Sequence, residues 1–128
     1  MQNTIRRNAL VLLLLVRPSP LAGAVPAIDP TGMYLCSGTM AQKTYSLGLE
    51  VRTVGETYEL LWNQDGQPTH VGVGVLDRNE LAVTFVTKQE SAGTALYHVS
   101  TNQLDGVWSF VRDPQLETET CLKHGKDA

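Results

Sequence analysis

The sequence offers little of what most enzymes and nucleic-acid binders are built from. It has three histidines, His70, His98 and His124, spaced 28 and 26 residues apart, so no two lie at a metal-ligand spacing on one strand or helix. Two cysteines rule out a cysteine-rich metal cluster. None of Ser37, Ser46, Ser91, Ser100 or Ser109 sits in a G-x-S-x-G elbow. The Val71-Gly72-Val73-Gly74 stretch lacks the third glycine and the following helix of a phosphate loop. Glu50, Glu59, Glu117 and Glu119 could pair for glycoside chemistry, but on the strands assigned below they read as outward-facing. No basic cluster is present to hold a phosphate backbone or an anionic membrane surface. A non-enzymatic chain without cofactor, metal or nucleic-acid partner is expected.

The longest apolar run, Ala9 to Val16, is eight residues and is stopped by Arg17, Pro18 and Pro20. A spanning helix needs roughly 20 apolar residues, so this is no membrane anchor. With Arg6 and Arg7 before it and Ala22-Gly23-Ala24 after it, the run reads as a secretory signal peptide over 1–24. The arginine pair also allows a twin-arginine signal, though Asn8-Ala9 is a poor continuation of one. The expected division is a signal over 1–24, a short segment over 25–30, a barrel domain over 31–123 and a tail over 124–128. Without residues 1–24 the ten basic residues become seven against 13 acidic ones, a net charge of 7 − 13 = −6. A periplasmic or secreted location follows, with no membrane span in the mature chain. In that oxidising setting two cysteines favour a disulfide over two free thiols.

What the mature part does contain is strands. Eight β-type segments run over about 33–38, 43–52, 57–63, 69–76, 80–87, 94–100, 103–111 and 116–123. Turn residues such as Asp65-Gly66, Asp77-Arg78-Asn79 and Asp113-Pro114 separate them. Alternation is clear: Tyr45, Leu47, Leu49 and Val51 share a face, as do Tyr58, Leu60 and Trp62, and Leu81, Val83 and Phe85. Val71, Val73 and Val75 alternate with His70, Gly72, Gly74 and Leu76. No helical period follows the signal. Eight meandering strands with one apolar face form either a two-sheet sandwich or an up-and-down barrel.

The cysteines decide between them. Cys36 lies on the first strand and Cys121 on the last, and a disulfide needs Cα atoms within roughly 7 Å. Only closure makes those strands neighbours so directly, so the expected fold is all-β: an eight-stranded antiparallel up-and-down barrel with one disulfide across its seam. The bond would close a loop of 84 residues, worth at most about 4–5 kcal/mol by chain entropy. Opposing Cys36 to Cys121 sets Gly38 against Glu119 and Tyr34 against Lys123. Because Glu117 and Glu119 share a face with Cys121, the expectation is that this face, and the disulfide, lie on the barrel surface. His70 and His98 are likewise expected to face solvent.

An ordered series of motifs adds a resemblance. Gly32-Met33-Tyr34, Tyr58-Glu59-Leu60-Leu61-Trp62, Val71-Gly72-Val73-Gly74-Val75, Gly93-Thr94-Ala95-Leu96-Tyr97 and Leu104-Asp105-Gly106-Val107-Trp108 follow one another over about residues 31 to 122. The series resembles a family of small exported proteobacterial proteins labelled "fibronectin-binding protein", and its layout is similar to avidin-like and lipocalin-like barrels. It departs in the second strand, where Tyr45-Ser46-Leu47-Gly48 replaces a Tyr-x-Gly spacing. The resemblance implies a binding module with a protein partner in the cell envelope or host matrix. Two other readings stand beside it. The chain could inhibit a secreted hydrolase through a protruding loop such as 89–93 or 63–68. It could also carry a small apolar ligand on a set of barrel-lining aromatics: Tyr45, Tyr58, Trp62, Phe85, Tyr97 and Trp108, with Phe110. The expectation is that those rings fill the barrel as a closed core, since small eight-stranded barrels often have room only for side chains.

Overall fold

A computed structural model describes residues 26–125; the signal-peptide reading and the end of the C-terminal tail fall outside them. The described chain is all-β. Its strands are β1 (Gly32–Met40), β2 (Lys43–Val54), β3 (Thr57–Gln64), β4 (Gln67–Asp77), β5 (Glu80–Thr87), β6 (Ala92–Ser100), β7 (Gln103–Phe110) and β8 (Asp113–Lys123). They pair antiparallel in sequence order, and β8 closes on β1 to complete the barrel. The seam register sets Cys36 against Cys121, Gly38 against Glu119 and Tyr34 against Lys123. The disulfide is formed, with an S–S distance of 2.04 Å across a separation of 85 residues.

Most turns are two-residue hairpins whose geometry needs left-handed backbone. Asp65-Gly66 supplies it with φ of 52° and 80°, as an Asp-Gly pair should. The turn expected at Asp113-Pro114 lies instead at Val111-Arg112. β8 begins at Asp113, opposite Phe110, and Pro114 has no ladder partner, so its missing N–H costs no hydrogen bond.

The two ends of the barrel differ. At one end Leu60, Leu81, Val99 and Leu104 form a close-packed apolar layer. The segment before β1 folds over it: Ile28 packs on the core, its N–H donates to Asn79 Oδ1, and Pro30 is fully buried. Tyr34, also buried, donates its hydroxyl to the Pro30 carbonyl at 2.8 Å. Burial, with Asp29 nearby, pushes the Tyr34 phenol up to about 12. The other end, expected to be filled by aromatic side chains, is open: the rings line its wall and leave a cavity between them.

Two face assignments differ from the sequence expectation. In β4 the glycines face inward and the valines outward: Val73 is 51% exposed while Gly72 and Gly74 are buried. Trp62 and Val83 occupy the space a Gly72 side chain would take, and Leu60 and Leu81 that of Gly74. In β8 the face expected outside is inside: Cys36, Cys121 and Glu119 are all buried. The cause is a set of partners on distant strands, described next.

Candidate functional site

Glu119 sits in a row that crosses five strands. Tyr45 on β2 lies opposite Gly38 on β1, Gly38 opposite Glu119 on β8, Glu119 opposite Gly106 on β7, and Gly106 opposite Tyr97 on β6. The glycines are what let the row work. A Cβ on Gly38 would lie 2.5 Å from the Tyr45 hydroxyl oxygen, and one on Gly106 would lie 2.5 Å from the Tyr97 ring. Each tyrosine lies over the neighbouring glycine and reaches the carboxylate from its own side. Tyr97 donates to Glu119 Oε1 and Tyr45 donates to Glu119 Oε2 at 2.9 Å. Both carboxylate oxygens are thus satisfied inside the barrel, which is why this acid can point inward.

The charge itself has no cation. Glu119, 4% exposed, is the only buried charged residue among those described. Burial raises its pKa; the two tyrosine hydrogen bonds, and the Trp62 indole N–H facing it from beyond hydrogen-bonding range, act the other way. Burial and the adjacent carboxylate push both phenols, Tyr45 and Tyr97, well above their ordinary range. Cys121 Sγ lies 3.6 Å from Glu119 Oε1. Cys36, Glu119 and Cys121 converge closely enough for a metal, but the disulfide consumes both thiolates.

Above this carboxylate the barrel opens into a cavity of about 360 Å³. Its walls are aromatic and touch in series. Tyr45 meets Trp108 edge-on at 6.4 Å, Trp108 meets Phe85 at 6.2 Å, and Phe85 meets Trp62 at 6.0 Å. Trp62 stacks on His70 at 4.2 Å with an interplanar angle of 9°. Phe110 closes the rim against Trp108. Gly93 leaves the room that the Phe85 ring occupies. His70, expected to face solvent, is half-buried on the cavity wall, where burial lowers its pKa to about 4 and keeps the ring neutral. Its Nδ1 lies 2.8 Å from Thr69 Oγ1. The Trp62 and Trp108 indole nitrogens are buried and have no hydrogen-bond partner. An unpaired buried donor costs roughly 1–3 kcal/mol, so two at one cavity call for explanation.

Of the aromatics singled out from sequence, Tyr45, Trp62, Phe85, Tyr97 and Trp108 line this cavity, and Phe110 joins them. Tyr58 does not; it packs against the core from the first residues of β3, toward the sealed end. Sequence reasoning missed His70 and Glu119. The available signal was the Gly38–Glu119 pairing implied by the cysteines, since a glycine opposite a charged residue leaves room for a third side chain. The loops considered for inhibition are short: 63–68 is the tip of the β3–β4 hairpin, and 89–93 spans the turn into β6. His98 is exposed and pairs with Glu80 on the outer wall.

No family model, curated protein or solved structure matches the chain. The buried disulfide is consistent with an oxidising, extracytoplasmic environment. Among the described residues no helix is long and apolar enough to cross a membrane.

Proposed function

We propose that the protein is an exported, non-enzymatic binding protein that takes a small, flat, largely apolar ligand into the open end of its barrel. The signal-like segment over 1–24 and the disulfide support export to the periplasm or beyond. The observation that carries the reading is the aromatic cavity, with two indole N–H groups left without partners at its wall. A dry cavity of about 150 Å³ is enough for benzene, so about 360 Å³ has room for a ligand of one or two rings. Catalysis finds less support. Among the described residues the one buried acid already holds hydrogen bonds from two phenols, and the histidine on the cavity wall is hydrogen-bonded to a threonine and held neutral by burial.

The test is titration with a neutral naphthylamine dye, followed by its fluorescence. Saturable one-to-one binding is expected, and Leu47→Trp, which fills the cavity from β2, should abolish it while the barrel stays folded. Binding that is unsaturable, or indifferent to that substitution, would overturn the reading.

A protein partner is the second reading, and one observation favours it. Val75, Leu96 and Val107, joined through Ala82, form an exposed apolar row across β4 to β7. Under that reading Leu96→Lys would abolish capture of an envelope or matrix protein and leave dye binding intact.

A further inference from the structure

We propose that the ligand is an organic cation: a protonated amine or quaternary ammonium on an apolar or aromatic body, with its charge seated between Glu119 and the aromatic wall. This rests on the small-ligand reading above and adds the chemistry that the cavity selects.

What the cavity base lacks is a countercharge. Buried charges in proteins are paired or neutralised. The carboxylate of Glu119 borders the cavity and receives two hydroxyl hydrogen bonds but no cation. The groups packed around it are Tyr45 from β2, Tyr97 from β6, Trp62 from β3 and the Cys36–Cys121 bond from β1 and β8. None carries positive charge. On β1 and β7 the residues directly opposite are Gly38 and Gly106. No lysine or arginine is buried among the described residues, and His70, the one basic side chain on the cavity wall, is held neutral. The cavity therefore presents one carboxylate at its base and nothing within to balance it.

Its walls have the complementary property. Trp62, Trp108, Phe85 and Tyr45 turn faces and edges to one space in edge-to-face contacts with interplanar angles of 62° to 72°. Ring faces carry negative electrostatic potential and attract cations, tryptophan most strongly, and desolvation strengthens the attraction. A carboxylate beneath such walls discriminates against anions, which would meet Glu119 without water to screen it. The glycine–tyrosine row spends two otherwise useful side-chain positions on making this carboxylate possible. Apolar packing alone would not need it, as the Leu81–Leu104 end of the same barrel demonstrates.

The protein contains two tryptophans and both line the cavity, so its tryptophan fluorescence, excited selectively over tyrosine, reports on the cavity. Full-length exported protein with its disulfide intact is titrated with benzyltrimethylammonium, its neutral carbon isostere neopentylbenzene, and phenylacetate. The cation should bind at least tenfold more tightly than the isostere, and phenylacetate should not bind. Glu119→Gln should remove the tenfold preference, read as the ratio of the two affinities on the same variant. Equal or tighter binding of the isostere by the unaltered protein would overturn the cation assignment and keep the small-ligand reading. Absence of any saturable change would overturn both. If Glu119→Gln does not fold, the charge series on the unaltered protein decides alone.

Discussion

The two ends of this barrel are built from the same strands and solve opposite problems. At the sealed end the interior is mostly aliphatic, with Leu60, Leu81, Val99 and Leu104 beneath a lid of Ile28 and Pro30, and the buried Tyr34 hydroxyl there is paired to the Pro30 carbonyl. At the open end the interior is aromatic and polar, with Trp62, Phe85 and Trp108 around a cavity and Glu119 at its base. Aliphatic side chains fit together without a partner to satisfy, so the sealed end can close on itself. The open end carries two unpaired indole donors and a carboxylate without a cation, costs that packing alone does not explain. Under the proposed small-ligand reading, the contrast puts stability in one half and recognition in the other.

Substitutions can break that contrast. The largest effect belongs to the seam both halves share. Replacing Cys36 and Cys121 together by serine frees a closed loop of 84 residues and should lower unfolding free energy by up to about 4–5 kcal/mol, read by denaturant titration. A loss below about 1 kcal/mol would mean that the seam's backbone pairing holds the barrel by itself. Next, Leu81→Ala at the sealed end should cost about 2–5 kcal/mol. Phe110→Ala at the half-exposed rim should cost about 1 kcal/mol or less yet weaken ligand binding. Similar stability losses at the two sites would erase the distinction between the halves.

Smaller than the loss at Leu81, and more specific, is the effect of Gly106→Ala. The added methyl would meet the Tyr97 ring at 2.5 Å and the Leu96 carbonyl oxygen at 2.9 Å. Overpacking of this kind costs roughly 1–3 kcal/mol, and here it also displaces Tyr97 from Glu119. A new wavelength for the Tyr97 phenol absorbance, alongside the stability loss, would report that displacement.

The smallest effect is in pH dependence. Glu119 has a folded-state pKa above its ordinary 4.5, so the folded protein binds the proton more tightly than the unfolded chain. Its contribution to stability is then greatest below about pH 4.5 and is lost as pH rises through the folded pKa. His70, lowered from 6.5 to about 4, acts in the opposite sense, and its contribution is lost as pH falls from 6.5 toward 4. The readout is therefore the difference between wild type and Glu119→Gln. The variant should show stability rising more steeply with pH above pH 4.5. Parallel curves would mean that Glu119 does not titrate differently on folding.

Much of the fold was legible in the sequence. The strand rhythm, the closure and the seam register all followed from alternation, turn residues and two cysteines, because these are local signals plus one covalent constraint. Which side of β8 faces inward was not legible. Period-two alternation tells which residues share a face but not where that face points. The face of Glu117, Glu119 and Cys121 reads as polar until Tyr45 and Tyr97 arrive from β2 and β6. β4 has the same ambiguity: its valines look like core until Trp62, Leu60, Val83 and Leu81 are seen to fill the space over Gly72 and Gly74. His70 was misplaced for the same reason, since its burial comes from stacking on Trp62 rather than from its own neighbours in sequence.

The most direct check on the division between a sealed and a receptive end is a two-dimensional amide NMR titration with benzyltrimethylammonium and the neutral naphthylamine dye. Trp62 and Trp108 give the only two indole N–H signals, and both lie on the cavity wall. Saturable shifts are expected at those two signals and along the open-end wall, with the amides of Leu81, Val99 and Leu104 unmoved. Shifts concentrated at the sealed end or on the outer wall, or none at the indoles, would contradict the account.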